Sequence, residues 1–447
     1  MEVSDFSKGS IRRNITRLAV PMTIAQLVNV LYNIVDRVYI GRLGQGKSLE
    51  LTGLGVCLPI ITMIMAFANL VGMGGAPLFS IERGKKNERE AQFILGNCFS
   101  LLLLFSVILM VVGFVLKKPM LYLLGASDET YQYANDYLSI YLLGTVFVLL
   151  SLGLNQFINA QGFGRIGMLT VVIGAGCNIV LDPIFIFGLN MGVPGAAIAT
   201  IISQAVAAVW TLSFLTGKKA IIRLKKECMK LQGKRVSRIL GLGVSSFTVY
   251  VTNALVQMAC NGTLQTMGGD IYVGVMTIIN SVREVAQMPI SGISSGAQPV
   301  MAYNYGAKEF MRVKQSIRFM CTSLIIYTLG IWLLIVLFPE FFLGIFSSDT
   351  EVIQTGISCL HVYFFGFFLM ALQFAGQTTF TGLGFSKRAV FFSIFRKVLI
   401  VIPLTLWLPH IHNLGVMGVF LAEPISNFIG GTACFLTMYF TVYRKIK

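Results

Sequence analysis

Charged residues are scarce in this sequence. Of its 447 residues only 12% are charged, and 19 are acidic, whereas about 25% of the residues in soluble proteins are charged. Hydrophobic residues make up 55% of the chain, and the mean hydropathy is +0.76. This composition excludes a soluble globular protein and predicts an integral membrane protein.

Recognisable catalytic motifs are also scarce. There is no HExxH sequence and no paired Asp-rich motif, and the three histidines, His361, His410 and His412, form no catalytic set. We expect neither a nucleophile elbow nor a phosphate-binding P-loop, and therefore no enzyme, no cofactor and no direct use of ATP. The eight cysteines contain no CxxC pair and lie mostly in apolar runs, which is typical of small buried residues.

Long apolar segments fill most of the chain. About 20 apolar residues suffice to cross a bilayer as a helix, and twelve such segments occur. Their approximate bounds are 18–40, 52–80, 94–116, 131–155, 167–189, 193–216, 239–264, 271–300, 316–339, 352–380, 388–409 and 415–443. The sequence therefore predicts an all-α membrane protein with twelve transmembrane helices.

Lysine and arginine are concentrated in alternate breaks between these segments. The basic breaks are the N-terminus, 82–90, 217–238, 306–318, 387–397 and the C-terminus. Because basic loops stay on the cytoplasmic side, both termini are predicted to be cytoplasmic. The net charge of +16 is thus explained by membrane topology, and no nucleic-acid partner is expected. The polar start, Met1 to Ser10, predicts no cleavable signal peptide.

The two halves of the chain are related. Residues of the first half recur 222 positions later, and Gly192-Val193-x-Gly195 recurs after 223 as Gly415-Val416-x-Gly418. The pairs at 222 are Pro77/Pro299, Gly84/Gly306, Lys86/Lys308, Tyr141/Tyr363, Gly144/Gly366, Gly162/Gly384 and Phe163/Phe385. Six helices per half make the repeats parallel, related by a pseudo-twofold axis along the membrane normal. We expect an N-lobe over 1–216, a basic cytoplasmic linker over 217–238 and a C-lobe over 239–447, with substrate between the lobes.

Acidic residues inside the predicted helices are few, and two of them suggest a cation site. Asp36 lies in helix 1 and Asp182 in helix 5, with Asn178 one turn earlier on the same face. Thr200 in helix 6 and Tyr137 in helix 4 could complete the set. These oxygens suit Na⁺, and two carboxyl groups close together could instead share a proton; the residues alone do not choose between these ions. The alternatives to a cation site are that Asp36 is an acid near the outer membrane surface and that Asp182 lies at the outer end of helix 5.

Further polar and helix-breaking residues lie within the apolar segments. Pro21 predicts a bend near the start of helix 1. Arg283 and Glu284 are expected to neutralise one another or separate partners, and Glu423 lies at the repeat position of Thr200. Side chains that would suit a substrate cavity, or would simply join neighbouring helices, are Gln26, Asn29, Asn33, Asn155, Asn159, Asn253, Gln257, Asn280, Glu284, Gln287, Gln373 and Gln377.

These motifs together resemble those of a known family. Asn33-x-x-Asp36-x-x-x-Ile40-Gly41-x-Leu43-Gly44, the two six-helix halves and Pro299-x-x-x-Tyr303-Asn304-x-Gly306-Ala307 resemble the multidrug and toxic compound extrusion (MATE) transporters, most closely their prokaryotic DinF-like branch and its staphylococcal multidrug relatives. The resemblance covers essentially the whole chain. It implies a first-lobe cation site at Asp36, Tyr137, Asn178, Asp182 and Thr200, and a bend at Pro21 when that site is protonated.

The family resemblance also sets the functional expectations. Helices 7 and 10 lack the acids that the NorM-like and plant branches carry in their second lobe, so a second coupling site is not implied. We expect a monomeric antiporter in a prokaryotic cell membrane that is coupled to H⁺ or Na⁺ and exports organic, often cationic or amphiphilic, compounds by alternating access. The alternative is a lipid-linked oligosaccharide flippase of the same superfamily, which twelve helices and an acidic first lobe disfavour.

Overall fold

The computed structural model describes residues 5–41, 49–347, 349–411 and 414–446, and throughout these ranges the regular elements are helices. Ten helices are long and apolar enough to cross a membrane, a bent pair provides one more, and a break inside the longest provides the twelfth. The predicted all-α fold with twelve spans is therefore confirmed. The spans are α1 (Ile11–Gly41), α2 (Leu49–Gly84), α3 (Glu88–Leu123), α4 (Asp128–Leu143 with Thr145–Ala160), α5 (Gly164–Gly188), α6 (Gly192–Thr216), α7 and α8 (233–268 and 270–306, within Gly233–Gly306), α9 (Phe310–Leu337), α10 (Thr350–Gly382), α11 (Ser386–His410) and α12 (Met417–Tyr443).

One glycine separates α7 from α8. Gly269 has φ +71° and ψ −167°, a combination that is open to glycine and closed to residues with a Cβ atom. The chain can therefore reverse direction there without a longer loop. This turn lies in the break between the seventh and eighth predicted segments.

Two spans that the sequence predicts as continuous are interrupted. The halves of α4 meet at an angle of 57° across Gly144, and a Cβ atom at this glycine would collide with the side chain of Ile201 on α6. In α10 the helix stops at Phe364 and resumes after Gly366, whose φ is +80°. Hydropathy did not indicate either interruption, because each lies inside one predicted apolar segment, 131–155 or 352–380.

Unusual backbone conformations recur at the repeat spacing. Lys86 and Lys308 have φ of +60° and +61°, Gly162 and Gly384 have +94° and +80°, and Gly192 and Gly415 have +57° and +46°. A positive φ at a residue other than glycine is uncommon, so its occurrence at both Lys86 and Lys308 indicates that the two halves share this turn. The local geometry of the two halves thus repeats as the sequence indicates.

The contacts of the chain divide into two compact units. Unit 1 contains Ile24–Phe247 together with the N-terminal Met1–Asp5, and unit 2 contains Phe6–Thr23 together with Thr248–Lys447. Each unit has its own apolar core, built around Phe79 and Phe157 in unit 1 and around Phe364 and Phe420 in unit 2. The predicted lobe boundaries stay predictions, with the observation that residues 6–23 pack with the second half of the chain.

The first part of α1 packs closely within unit 2. A Cβ atom added to Gly296 would lie 2.6 Å from the backbone nitrogen of Ala19, so this glycine allows α1 and α8 to approach. The amide group of Asn304 donates a hydrogen bond of 3.2 Å to the carbonyl oxygen of Phe6. Small residues and backbone-directed amides are the means by which membrane helices pack.

The basic segment 217–238 is docked on unit 1 and is not wholly solvated. Its lysines are exposed, but Ile222 and Cys228 are buried. Asn97 on α3 donates 3.3 and 3.1 Å hydrogen bonds to the carbonyl oxygens of Cys228 and Lys230, and its own oxygen accepts from the backbone of Gln232 at 2.9 Å. The segment therefore combines a charged outer side with a fixed inner side.

Candidate functional site

Two polar side chains on α5 and one on α6 form the centre of a buried cluster in unit 1. The amide group of Asn178 donates to Asp182 Oδ1 at 3.1 Å and lies 3.4 Å from the hydroxyl of Thr200. All three side chains are buried, and Asp182 has no exposed surface. Asn178 and Asp182 meet because four residues are about one helical turn.

The approach of α6 to α5 depends on small residues. α6 begins at Gly192, and a Cβ atom on Gly195 would lie only 2.8 Å from the backbone of Phe185. The end of α5 is itself widened into a π-helical turn over Ile184–Gly188; such turns are frequent at functional sites. Thr200 follows two turns into α6 and so reaches the level of Asn178.

Asp36 on α1 and Tyr137 on α4 complete the cluster. The carboxyl group of Asp36 lies within hydrogen-bonding reach of the carboxyl group of Asp182. The side chain of Tyr137 lies close to Thr200 and to Asp36 and interacts with both. Both side chains are buried. The structure thus brings together all five residues that the sequence singles out for a cation site.

The chemistry of the cluster is that of a site for a small positive charge. Two carboxyl groups, one amide oxygen and two hydroxyl oxygens meet where water is largely excluded. The Oδ1 atom of Asn178 is buried and accepts no hydrogen bond from any described residue. Carboxylates in such surroundings require a compensating cation or a proton, and oxygen ligands of this kind suit a hard cation.

The remaining predicted residues of unit 1 serve varied roles. Asn155 donates a 3.1 Å hydrogen bond to the carbonyl oxygen of Gly167, and Asn159 is buried. Gln26 is exposed and Asn29 is half-buried, whereas the side chain of Asn33 lies outside the described part of the structure.

In unit 2, Pro21 lies inside α1, and the predicted bend there stays a prediction. Asn253, Gln257 and Asn280 line a small cavity. Glu284 is exposed, the amide group of Gln287 contacts the sulfur of Met370 at 3.3 Å, Gln373 is buried, and Gln377 donates to the carbonyl oxygen of Ala389 at 2.9 Å.

The sequence reasoning missed two buried cations. Arg396 and Lys397 belong to a break predicted to be cytoplasmic, but the structure places them inside α11, 8% and 5% exposed, where both bind Glu423. Their position eight or nine residues inside the apolar segment 388–409 was the available signal. Arg283 also approaches Glu423, at 3.7 Å. Of the two expectations for Arg283 and Glu284, mutual neutralisation or separate partners, the structure therefore shows a separate partner for Arg283.

Two enzyme motifs that we expected to be absent do have matches in the sequence. Gly41-x₄-Gly46-Lys47-Ser48 matches a P-loop, and Gly292-x-Ser294-x-Gly296 matches a nucleophile elbow. A P-loop follows a strand, whereas helix α1 runs up to Gly41; the residues after it lie outside the described part. Ser294 lies in the interior of α8 instead of on a strand-to-helix turn. Neither match therefore has the structural context that its chemistry requires.

Comparison with known proteins gives a consistent result. The profile of the MatE family matches residues 21–184 and 245–407. Multidrug export protein MepA of Staphylococcus haemolyticus is 28% identical over 95% of this chain and 93% of its own length, and MepA of Staphylococcus saprophyticus is 26% identical over 97% and 95%.

Solved structures share the fold. A MATE crystal structure in the bent conformation superposes with a TM-score of 0.93 at 24% identity, covering 100% of this chain and 99% of that one. A MOP superfamily transporter from Pyrococcus furiosus superposes with a TM-score of 0.92 at 24% identity and the same coverage. At this level of identity the likeness concerns the fold alone.

Proposed function

Because this multi-pass membrane protein belongs to the MatE family, we propose that it exports organic compounds from the cell in exchange for a cation. The observation that carries the proposal is the convergence of Asp36, Tyr137, Asn178, Asp182 and Thr200 in one buried cluster. The relatives named as multidrug export proteins cover nearly the whole chain, which supports organic substrates of varied structure.

The coupling ion acts on the two acidic side chains. With neither a proton nor a metal cation present, two carboxylates would repel one another in surroundings of low dielectric, and the helices that carry them would separate. A bound Na⁺ or a proton removes this repulsion and allows α1, α4, α5 and α6 to pack around the cluster. An ion can drive a conformational change only if it binds two states with different affinity; the carboxyl pair provides that difference.

Each of the other cluster residues has a definite part in this scheme. The Asn178 amide group holds Asp182 Oδ1 and leaves its own oxygen for the ion. The Tyr137 and Thr200 hydroxyls supply the remaining oxygens. Pro21 lacks a backbone N–H, so we expect α1 to bend there during transport. We expect the protein to work as a monomer in a prokaryotic cell membrane.

The test is export of a fluorescent organic cation, ethidium, from proteoliposomes containing the full-length protein. A Na⁺ gradient and a pH gradient are imposed separately, with wild type, Asp36→Asn and the surface variant Asp128→Asn compared. Exposed Asp128 begins α4 and is the control.

We expect one gradient to drive export in wild type and in Asp128→Asn, and Asp36→Asn to lose that response. Export that ignores both gradients would refute the coupling. No export under either gradient, together with movement of a lipid-linked oligosaccharide, would instead favour a flippase.

A further inference from the structure

A second charged cluster lies inside unit 2, on α8, α11 and α12. Glu423 accepts from Lys397 at 3.1 and 3.2 Å and from Arg396 at 3.2 Å, and Arg283 lies 3.7 Å away. Arg396 also donates to Asn427 at 2.5 Å. Two π-helical turns, Phe395–Val401 and Asn427–Gly431, carry Arg396, Lys397 and Asn427, and turns of this kind are common where side chains must be re-aimed for a function.

The charges of this cluster do not balance. Three cationic side chains, buried Arg396 and Lys397 and half-buried Arg283, surround one carboxylate, so the cluster carries an excess of two positive charges. Glu284 follows Arg283 in sequence, but its side chain is exposed, and consecutive residues of a helix do not face one another. An uncompensated charge inside a membrane protein is costly, by several kcal/mol in typical cases. A structural ion pair would need one cation for Glu423, and this chain provides three.

One of the cations lacks a full set of partners. Arg283 forms no hydrogen bond among the described residues within the cluster; its approach to Glu423 is a charge contact only, and its Nε atom is buried without an acceptor. Guanidinium groups have five N–H donors arranged to grip an anionic group. The Arg283 side chain faces a cavity of about 20 Å³ that is also lined by Asn253, Gln257, Asn280 and Lys397. A space of this size holds roughly one water-sized group.

The cavity occupies the repeat position of the cation site in unit 1. Adding the repeat spacing of 223 to Asn178, Asp182 and Thr200 gives Val401, Thr405 and Glu423, and all three line the cavity. The same place in the two halves of the fold is therefore acidic in unit 1 and basic in unit 2. The cavity of unit 2 therefore corresponds, in the repeat, to the candidate cation site of unit 1.

We propose that this cavity binds one small monovalent anion, held by Arg283 and Lys397. The anion is a halide such as chloride, which a space for one water-sized group can hold directly, or the carboxylate of a small organic acid, which carries the same single negative charge but has three heavy atoms and would have to widen the space. The amide groups of Asn253, Gln257 and Asn280 supply neutral donors around it. The proposal does not depend on cation-coupled export and is tested by binding alone.

The experiment measures equilibrium binding of chloride-36 and of carbon-14 acetate to purified full-length protein in detergent, with gluconate as the background anion. Wild type is compared with Arg283→Gln, Arg283→Lys and Glu423→Gln. Arg388→Gln is the matched control, since Arg388 also lies on α11 but bonds Thr441 outside the cluster. Size-exclusion profiles establish that each variant is folded.

We expect saturable binding that Arg283→Gln weakens by about tenfold or more, as loss of one nearby charge in a partly dry site implies. Arg283→Lys, which keeps the charge but loses the guanidinium fork, should bind with an affinity between those of wild type and Arg283→Gln. Arg388→Gln should retain the full affinity, and Glu423→Gln should bind the anion more tightly because a negative charge is removed. Opposite effects of Arg283→Gln and Glu423→Gln cannot arise from a general loss of packing.

The two probes separate the possible sources of the anion. Chloride binding that bromide displaces assigns the cavity to a halide, and acetate binding without chloride binding assigns it to a carboxylate. Binding of neither probe to folded wild type would overturn the proposal, as would equal binding by wild type and Arg283→Gln.

Discussion

Asp182→Asn separates the charge of the cation cluster from its shape. Aspartate and asparagine are nearly isosteric, and the new side chain can keep its Oδ1 atom 3.1 Å from the Asn178 amide group while its own amide group faces Asp36. Because Asp182 is completely buried, loss of this hydrogen bond would be costly and its retention preserves the fold. We therefore expect a folded protein with one carboxylate fewer at the cluster.

The size of the effect follows from the lost charge. Two unit charges about 4 Å apart interact by roughly 4 kcal/mol at an effective dielectric constant near 20, and this is an upper bound because the amide oxygen still ligates the ion. A loss of about 1.4 to 2.8 kcal/mol corresponds to cation affinity that is ten- to a hundredfold weaker. The concentration of the driving cation that gives half-maximal export should rise by that factor.

The assay is ethidium export by proteoliposomes as a function of the driving cation concentration, with Asp128→Asn as the control for loss of an acid. Thermal unfolding in detergent is measured in parallel. Export by Asp182→Asn with an unchanged cation dependence would refute the assignment of Asp182 to the coupling site. A large fall in unfolding temperature would instead show that the carboxylate is needed for packing.

Two further predictions concern packing in unit 1. Gly243→Ala on α7 should lower the stability of the detergent-solubilised protein by about 1–3 kcal/mol, because its Cβ atom would collide with the carbonyl oxygen of Leu70 on α2. The control Gly241→Ala, whose Cβ atom meets nothing within 4 Å, should leave the melting temperature close to that of wild type. Equal melting temperatures for the two variants would contradict the close approach of α7 and α2. Asn97→Ala removes three of the hydrogen bonds that hold the segment 217–238. Limited trypsin digestion should therefore cut this segment several times faster than in wild type or Gly241→Ala. An unchanged rate would mean that the bonds from Ser100 and Gln161, the Arg235–Glu90 ion pair and the buried apolar side chains suffice to hold it.

The sequence-based hypothesis for the cation cluster depended on unusual residues in apolar surroundings. A carboxylate in a membrane-spanning segment is rare and costly, so Asp36 and Asp182 could be found without knowledge of the fold. The spacing of Asn178 and Asp182 placed them on one helical face. Their meeting with Tyr137 and Thr200 came only from the family resemblance, since nothing local in the sequence relates helices 4, 5 and 6.

The same reasoning failed for Arg396 and Lys397. Loop assignment by the positive-inside rule treats lysine and arginine as marks of the cytoplasmic side. That rule fails when buried cations pair with an acid on another helix, and Glu423 lies 26 residues beyond Lys397 along the chain. The pairing of Arg396 and Lys397 with Glu423 depends on how α11 packs against α12. A short stretch of sequence does not give that packing.

Hydropathy and the repeat by themselves determined the twelve helices and the likeness of the two halves, because burial in lipid depends on the composition of each segment alone. They did not determine the 57° bend of α4 at Gly144 or the docking of 217–238 on α3. Nor did they indicate that one repeated position is acidic in unit 1 and basic in unit 2. These features depend on contacts between residues far apart in the chain, and only the tertiary structure decides them.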